Sequence, residues 1–137
     1  MDSLVKVKER LEKNPNDAQA LYWFALYLCI KYESEEEIPP DAKRWMENCG
    51  GFEAYVGGQI MLKQLETISK VDPKHLEKDD LLKLELLDKS SDLGYKMAMK
   101  MRSSLSSFYF NSGKYNIAFR IISELAEQGH AEAQYNL

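Results

Sequence analysis

The last fourteen residues, ELAEQGHAEAQYNL (Glu124–Leu137), contain the segment that decides the fold. Its central part, EQGHAEA, indicates a helix that ends at Gly129 and a second helix that begins directly after it. The same arrangement, a glycine after a helix and an alanine four residues later, occurs 35 residues earlier in DLGYKMA (Asp92–Ala98), and again in NCGGFEA (Asn48–Ala54). Glycine accepts the left-handed backbone that closes a helix, and a small alanine lets two helices approach closely. The three junctions therefore predict a repeated helix–turn–helix unit.

Helical periodicity extends over the rest of the chain, and no segment of strand length alternates convincingly between apolar and polar residues. The pattern predicts helices at 3–13, 17–33, 40–49, 52–69, 78–92, 95–112 and 114–128, and an eighth that starts near Ala131. Pro15 ends the first helix and Asp17 is placed to cap the second. The second helix contains ALYWFALYLCI (Ala20–Ile30), which is apolar on nearly every side, so we expect it to be the most buried.

Composition narrows the class of protein. A chain of 137 residues with 45% apolar residues predicts a single globular domain. A net charge of −4 disfavours nucleic acid as a partner, and no apolar stretch is long enough to predict a membrane span. Two cysteines, Cys29 and Cys49, do not form a disulfide framework, so we expect a cytoplasmic protein.

Site chemistry is sparse in this sequence. His130 is interpreted as structural, and His75 lies close to Asp79 and Asp80, an arrangement that we interpret as helix capping by the Asp pair rather than a metal site. The acidic run at 33–37 is interpreted as a solvated loop. The sequence therefore predicts neither a metal nor another cofactor.

Catalysis is equally poorly supported. Cys29 lies in the most apolar helix and is interpreted as a small hydrophobic residue, while Cys49, before two glycines, leaves open an exposed, reactive thiol. No glycine-rich phosphate loop follows a strand, and no serine, histidine and aspartate set indicates a triad. We therefore predict that the chain is not an enzyme, with a thiol-dependent activity at Cys49 as the remaining alternative.

Four segments resemble known helical repeats. YNIAFRIISELAEQGHAEAQYNL (Tyr115–Leu137) is similar to the second half of a SEL-like repeat and the opening of the next, and LSSFYFNSGKYNIA (Leu105–Ala118) resembles a tetratricopeptide first helix and turn. NPNDAQALYWFALYL (Asn14–Leu28) resembles a tetratricopeptide boundary, and YESEEEIPPDAKRWMENCGGFEA (Tyr32–Ala54) resembles the extended SEL-type loop and second helix. The stretch 60–92 departs most from both patterns.

This resemblance implies an all-α protein of seven to eight helices, built as an antiparallel helix-pair solenoid with a right-handed superhelix. It divides the chain into a first unit at 14–50, a divergent second unit at 51–93 and a third unit at 94–129. Residues 130–137 are then either a cap on the array or the start of a unit that continues in a longer natural protein.

The resemblance also implies that the first helices of the units form a concave face that binds a protein or peptide. The ligand-facing positions are then Gln19, Tyr22, Leu26, Tyr55, Gly58, Leu62, Lys100, Ser103, Ser107 and Phe110. The apolar, aromatic N-terminal end of this face favours a hydrophobic or helical partner over an acidic tail. We therefore expect a small adaptor or inhibitor; a bacterial immunity-type protein that blocks a toxin fits the size and charge. Self-association through the open ends of the array, into a homo-oligomer, is the structural alternative.

Overall fold

The computed structural model describes residues 3–30, 51–130 and 134. Within these residues the chain forms six α-helices and one short 3-10 helix, and it contains no β-strand, so the expectation of an all-α protein is confirmed. The helices are α1 (Ser3–Lys13), α2 (Ala18–Ile30), α3 (Gly51–Ser69), α4 (Lys78–Asp92), α5 (Lys96–Asn111) and α6 (Tyr115–Glu127), with the 3-10 turn at Pro73–His75. The described residues do not include the helix predicted at 40–49, or Cys49, for which a reactive thiol was left open. They also leave out most of the eighth helix.

Local capping explains why the helix ends agree with the sequence pattern. Asp17 accepts a hydrogen bond from the backbone N–H of Ala20 at 3.1 Å, as expected of a residue that caps α2. Arg10 of α1 binds both carboxylate oxygens of Asp17 at 2.9 Å, which ties the first helix to the start of the second. The capping role predicted for Asp79 and Asp80 is wrong, because Glu77 precedes α4 and the two aspartates lie in its first turn.

The glycine junctions have the predicted geometry where they are described. Gly94 and Gly129 have φ angles of +91° and +85°, the left-handed conformation in which glycine closes a helix. The alanine four residues after the first of them, Ala98, is fully buried, which is consistent with a close approach between helices. Both glycines therefore have the conformation for which they were singled out, and the alanine of the second junction, Ala133, lies outside the described residues.

The core is centred on α2, whose residues face neighbours on several sides. This helix packs against α1, α3 and α4, while α5 packs against α3, α4 and α6. The prediction that α2 is the most buried helix is confirmed by eight buried apolar residues at Ala20, Leu21, Tyr22, Trp23, Ala25, Leu26, Tyr27 and Cys29. Burial of these side chains supplies the main driving force for the packing of the N-terminal half.

Buried polar side chains hold α3 and α4 against α2. Gln64 of α3 donates to the carbonyl oxygen of Cys29 at 3.1 Å and accepts from Lys83 Nζ of α4 at 3.0 Å. Ser90 Oγ of α4 donates to the carbonyl oxygen of Ala18 at 2.6 Å. These bonds satisfy polar groups that would otherwise be costly in the interior, so they restrict how the three helices are placed.

Candidate functional site

One concave surface in the described part of the chain lies between α5 and α6. These helices run antiparallel, because only the turn at 112–114 joins them. The cavity between them has a volume of about 680 Å³. Its apolar lining consists of Phe110, Tyr115, Ala118, Phe119 and Ile122, and its polar lining of Ser106, Ser107 and Asn111. We call this surface the α5–α6 groove.

Three aromatic side chains in the groove remain largely open to solvent. Phe110 is 59% exposed, Tyr115 is 60% exposed and Phe119 is 66% exposed. The rings of Phe110 and Tyr115 pack edge to face with their centroids 5.0 Å apart, so the two side chains hold each other in position. Single exposed apolar residues are common on proteins, whereas a contiguous exposed aromatic patch marks an interaction surface.

The groove arises because α6 carries two apolar stripes instead of one. Ala118, Ile121 and Leu125 recur at helical spacing and are buried against the core. A second set, Tyr115, Phe119 and Ile122, recurs at i, i+4 and i+7 and lines the groove. One stripe is enough to attach α6 to the core. Of the second stripe, Ile122 is partly buried against the core, while Tyr115 and Phe119 are surplus to the packing that the described residues provide.

The polar lining of the groove is neutral. Ser106 Oγ donates to the carbonyl oxygen of Ala118 at 3.0 Å, a buried bond that joins α5 to α6 at the floor. Ser107 and Asn111 are exposed on the α5 side. None of the described residues that line the groove carries a formal charge. The surface therefore offers apolar contact and a few neutral hydrogen-bonding groups, without an ion-pairing group.

Lys114, which lies in the turn between α5 and α6, is directed away from the groove. Its ammonium donates to the carbonyl oxygens of Ser69 and, at 3.1 Å, of Val71, at the C-terminal end of α3. It also lies 6.0 Å from the centre of the Tyr109 ring. A cation at a helix C-terminus is favoured by the helix dipole and by the free carbonyl oxygens there. This contact, which we call the Lys114 latch, fixes the turn beside Tyr115.

Arg102 of α5 is only 2% exposed and holds this helix against its neighbours. Its Nη2 donates to Glu124 of α6 at 2.7 Å, and its Nε lies 2.9 Å from Asp88 of α4 as an ion pair rather than an aligned hydrogen bond. Burial raises the pKa of the Asp88 carboxyl, and the charge of Arg102 opposes that shift. The guanidinium thus connects three successive helices, and it is not part of the groove lining.

The positions predicted to face a ligand are distributed over several environments. Ser107 and Phe110 lie in the groove, and Lys100 is exposed further along α5. Tyr22 and Leu26 are 1% exposed, so their side chains belong to the core in this conformation.

The remaining predicted positions lie away from the groove. Ser103 and Gly58 are buried, and Leu62 is partly buried. Gln19 is exposed and accepts a hydrogen bond from Arg10 at 3.0 Å. The side chain of Tyr55 lies outside the described residues. The partner-binding role of the whole set stays a prediction.

Six of the eight groove residues were not among the predicted positions, and two of them, Tyr115 and Phe119, are exposed aromatic residues. Tyr115 and Phe119 belong to α6, whereas the resemblance placed the ligand face on first helices only. The signal that could have identified them is the second apolar stripe on α6. Helical spacing separates Tyr115, Phe119 and Ile122 from the stripe of Ala118, Ile121 and Leu125.

A second polar cluster, around Lys83, is built into the core. Lys83 is 3% exposed and donates to Asp80 at 3.1 Å and to Gln64. Burial raises the pKa of the nearby Cys29 thiol to about 11, with a smaller opposing effect from Lys83. A thiol with that pKa is almost entirely protonated at neutral pH, so Cys29 has the properties of a packed hydrophobic residue, as predicted.

Among the described residues, no group of three His, Cys, Asp or Glu side chains is arranged to hold a metal ion. His75 is exposed, and His130 is partly buried at the end of the α6 junction. In the same part of the chain, none of the helices combines the length and the apolar character needed to cross a lipid bilayer.

Comparison of the chain with protein-family models, with curated proteins and with solved structures finds no match. The resemblance to SEL-like and tetratricopeptide repeats accordingly stays a prediction from the residues quoted above. The α5–α6 groove is a property of the chain's own geometry, and it is the feature on which a functional proposal is best based.

Proposed function

We propose that this protein is a protein–protein interaction module that binds a protein or peptide in the α5–α6 groove. The observation that carries the proposal is the contiguous exposure of Phe110, Tyr115 and Phe119 beside a cavity of about 680 Å³. Aromatic side chains dominate binding energy at interfaces, because they bury a large area while few torsions are immobilised. The proposal includes no catalytic step.

We further propose that the frame of this module is a helical-repeat solenoid of the SEL-like or tetratricopeptide-like kind. The support is a repeated turn. The N–H groups of Tyr95 and His130, which are 35 residues apart, donate to the carbonyl oxygens five residues earlier, both at 3.1 Å. The N–H groups of Gly94 and Gly129 donate to the carbonyl oxygens three residues earlier at 2.9 and 3.0 Å. Gly113 and Lys114 make the same pair of bonds at the end of α5, so the turn is a general helix ending, and the support for a repeat is the 35-residue spacing of the other two.

A frame of stacked helices suits a binding function because each helix is held by its neighbours and not by the ligand. The Lys114 latch and the buried Arg102 fix the two walls of the groove from outside it. A partner therefore meets a surface that is already formed, and less binding energy is lost in ordering it.

The experiment compares three forms of the chain as affinity baits in extracts of the native cell. The first is the wild type, the second is Phe119→Ser, and the third is the matched control Leu81→Ala, which alters an exposed apolar residue of α4 outside the groove. We expect one or more proteins to be retained by the wild type and by Leu81→Ala and to be lost with Phe119→Ser. Each such protein is then purified and its affinity for the three forms is measured by calorimetry.

The circular dichroism spectra and unfolding curves of the three forms must agree, which shows that Phe119→Ser has not unfolded the chain. If every retained protein binds the Phe119→Ser form as tightly as the wild type, the groove is not the binding site and the proposal is wrong.

A further inference from the structure

We infer that the occupant of the α5–α6 groove is a short amphipathic α-helix of the partner, which docks through a neutral apolar face. This inference rests on the proposed function and specifies the chemistry of the partner. It is carried by the length of the groove, by the absence of backbone hydrogen-bonding groups and charges in its described lining, and by the area that its aromatic residues expose.

The dimensions of the groove match a helix of a few turns. The α6 wall runs from Tyr115 to Ile122, a distance of roughly 10 Å at the rise of an α-helix. Side chains at i, i+3 or i+4, and i+7 of a partner helix cover the same distance. Two antiparallel helices form the walls, so a third helix lies along them as helices pack elsewhere, with its side chains between Phe110 and Phe119.

An extended segment does not fit the described walls. A strand needs an exposed row of N–H and C=O groups to pair with, whereas the backbone groups of α5 and α6, apart from those at the helix ends, are bonded within their own helices. Ser106 is already bonded to the carbonyl oxygen of Ala118. An extended peptide would thus place its own backbone groups in an apolar channel without partners, while a helix satisfies them internally.

A charged binding face does not fit either. Two charged residues are adjacent in sequence to the groove lining. The ammonium of Lys114 is engaged by carbonyl oxygens of α3, and Arg120 lies 4.0 Å from Glu124 of its own helix. A carboxylate or ammonium group brought into the groove would lose hydration without gaining a counter-charge among the described lining residues. The face of the partner helix that enters the groove must therefore be apolar, flanked by neutral polar residues that meet Ser107 and Asn111.

The exposed area favours a short helix over a second copy of this chain. Aromatic side chains of about 200 Å² each, exposed by 59–66%, provide roughly 370 Å² of aromatic surface at the groove. A standard stable interface buries about 800 Å² on each partner. These three residues supply less than half of that, so a symmetric dimer would need further contact area outside the groove, whereas one amphipathic segment would not.

The test uses a display library of random peptides of roughly 16 residues, long enough for about four helical turns. Peptides are selected on the full chain and counter-selected on Phe119→Ser, so that only groove-dependent binders are enriched. Their affinities are measured by fluorescence anisotropy against the wild type, Phe119→Ala, Tyr115→Ala and the matched control Leu81→Ala.

We expect enriched peptides with apolar residues at i, i+3 or i+4, and i+7, and with neutral residues between them. Phe119→Ala and Tyr115→Ala should each weaken binding by about tenfold or more, and Leu81→Ala by less than about twofold. A proline at the centre of the peptide should weaken binding by more than about tenfold, since it breaks the helix. Raising salt from about 0.05 to about 0.5 M should change the affinity by less than about threefold.

The possible failures are distinguishable. Groove-dependent peptides that tolerate the central proline, or whose affinity depends strongly on salt, overturn the helical inference and leave the proposed function standing. If the unliganded chain dimerises at about micromolar concentration in sedimentation, and Phe119→Ser abolishes the dimer, the occupant is a second copy and the inference is wrong. If no peptide of any class depends on Phe119, the groove is not a binding site, and the proposed function fails with the inference.

Discussion

The ion-pair cluster around Arg102 leads to a prediction about protein stability. Removing the buried guanidinium and removing its two carboxylate partners should have different effects on the free energy of unfolding. Arg102 is 2% exposed, whereas the side chains of its partners Asp88 and Glu124 are 49% and 44% exposed. Loss of both carboxylates leaves a buried positive charge that water cannot reach. Loss of the guanidinium leaves two carboxylates that solvent already hydrates.

The magnitudes follow from this asymmetry. The double variant Asp88→Asn with Glu124→Gln should lower the free energy of unfolding by about 3–5 kcal/mol, the usual consequence of an uncompensated buried charge. Arg102→Met keeps a long side chain in the core and removes a guanidinium whose Nη1 has no hydrogen-bond partner among the described residues. We expect it to change the free energy of unfolding by about 1 kcal/mol or less, in either direction.

Urea unfolding, followed by far-ultraviolet circular dichroism at neutral pH, measures both differences from the wild type. Equal slopes of the unfolding free energy against urea concentration are required for the comparison. A loss of about 3–5 kcal/mol is a large part of the total stability expected for a domain, about 5–15 kcal/mol, so the double variant should be visibly less stable. If Arg102→Met is the less stable of the two, the desolvation argument is refuted, and the ion pairs stabilise the three helices on balance.

Three further outcomes are expected. Lys114→Met should lower the free energy of unfolding, measured by thermal unfolding, by about 2 kcal/mol, because two carbonyl oxygens at the end of α3 lose their donor. An unchanged melting temperature would contradict this prediction. Cys29 should react with iodoacetamide only after unfolding, since burial raises its pKa to about 11, and mass spectrometry of its peptide detects earlier labelling. Gly113→Ala should lower the free energy of unfolding by about 1 kcal/mol, because a φ of +80° is unfavourable for a residue with a Cβ, even though the added Cβ meets open space. Gly58→Ala, at a helical position, is the control and should lower the free energy of unfolding by less in the same assay.

The helices could be predicted from the sequence because their signals are local. Asp17 caps α2 from a position next to it, and Gly94 and Gly129 close their helices through their own backbone conformation. The aspartates of α4 were assigned wrongly because capping depends on the backbone angles of one residue, and Glu77 occupies that position. A difference of two residues is within the normal imprecision of helix ends.

The groove was predicted only in part. Ser107 and Phe110 were identified by their positions on α5, but the second apolar stripe of α6 was not recognised. Tyr22 and Leu26 show the opposite case, because they were predicted to face a ligand and their side chains are buried. Their helix was expected to present one side to a ligand, yet α3 and α4 both pack against α2, so that side is covered in the described fold. Which face a helix exposes depends on distant neighbours, and periodicity does not contain that information.

The buried charges were not predictable for the same reason. Lys83 and Arg102 are residue types that belong on the surface when judged one at a time. Their partners come from other helices, as with Gln64 of α3 for Lys83 and Glu124 of α6 for Arg102. Only the packed arrangement of helices shows that these side chains have counter-charges or hydrogen-bond acceptors in the interior.

The Lys114 latch limits how far the groove can be transplanted. Both walls come from one hairpin of two short helices, which makes the hairpin attractive for grafting onto another scaffold. Lys114, however, bonds to carbonyl oxygens more than 40 residues earlier in the chain. A graft of α5 and α6 alone would carry every aromatic residue of the groove and still release a cation next to Tyr115. The smallest portable unit therefore includes the end of α3, and a design based on the hairpin must supply a substitute acceptor.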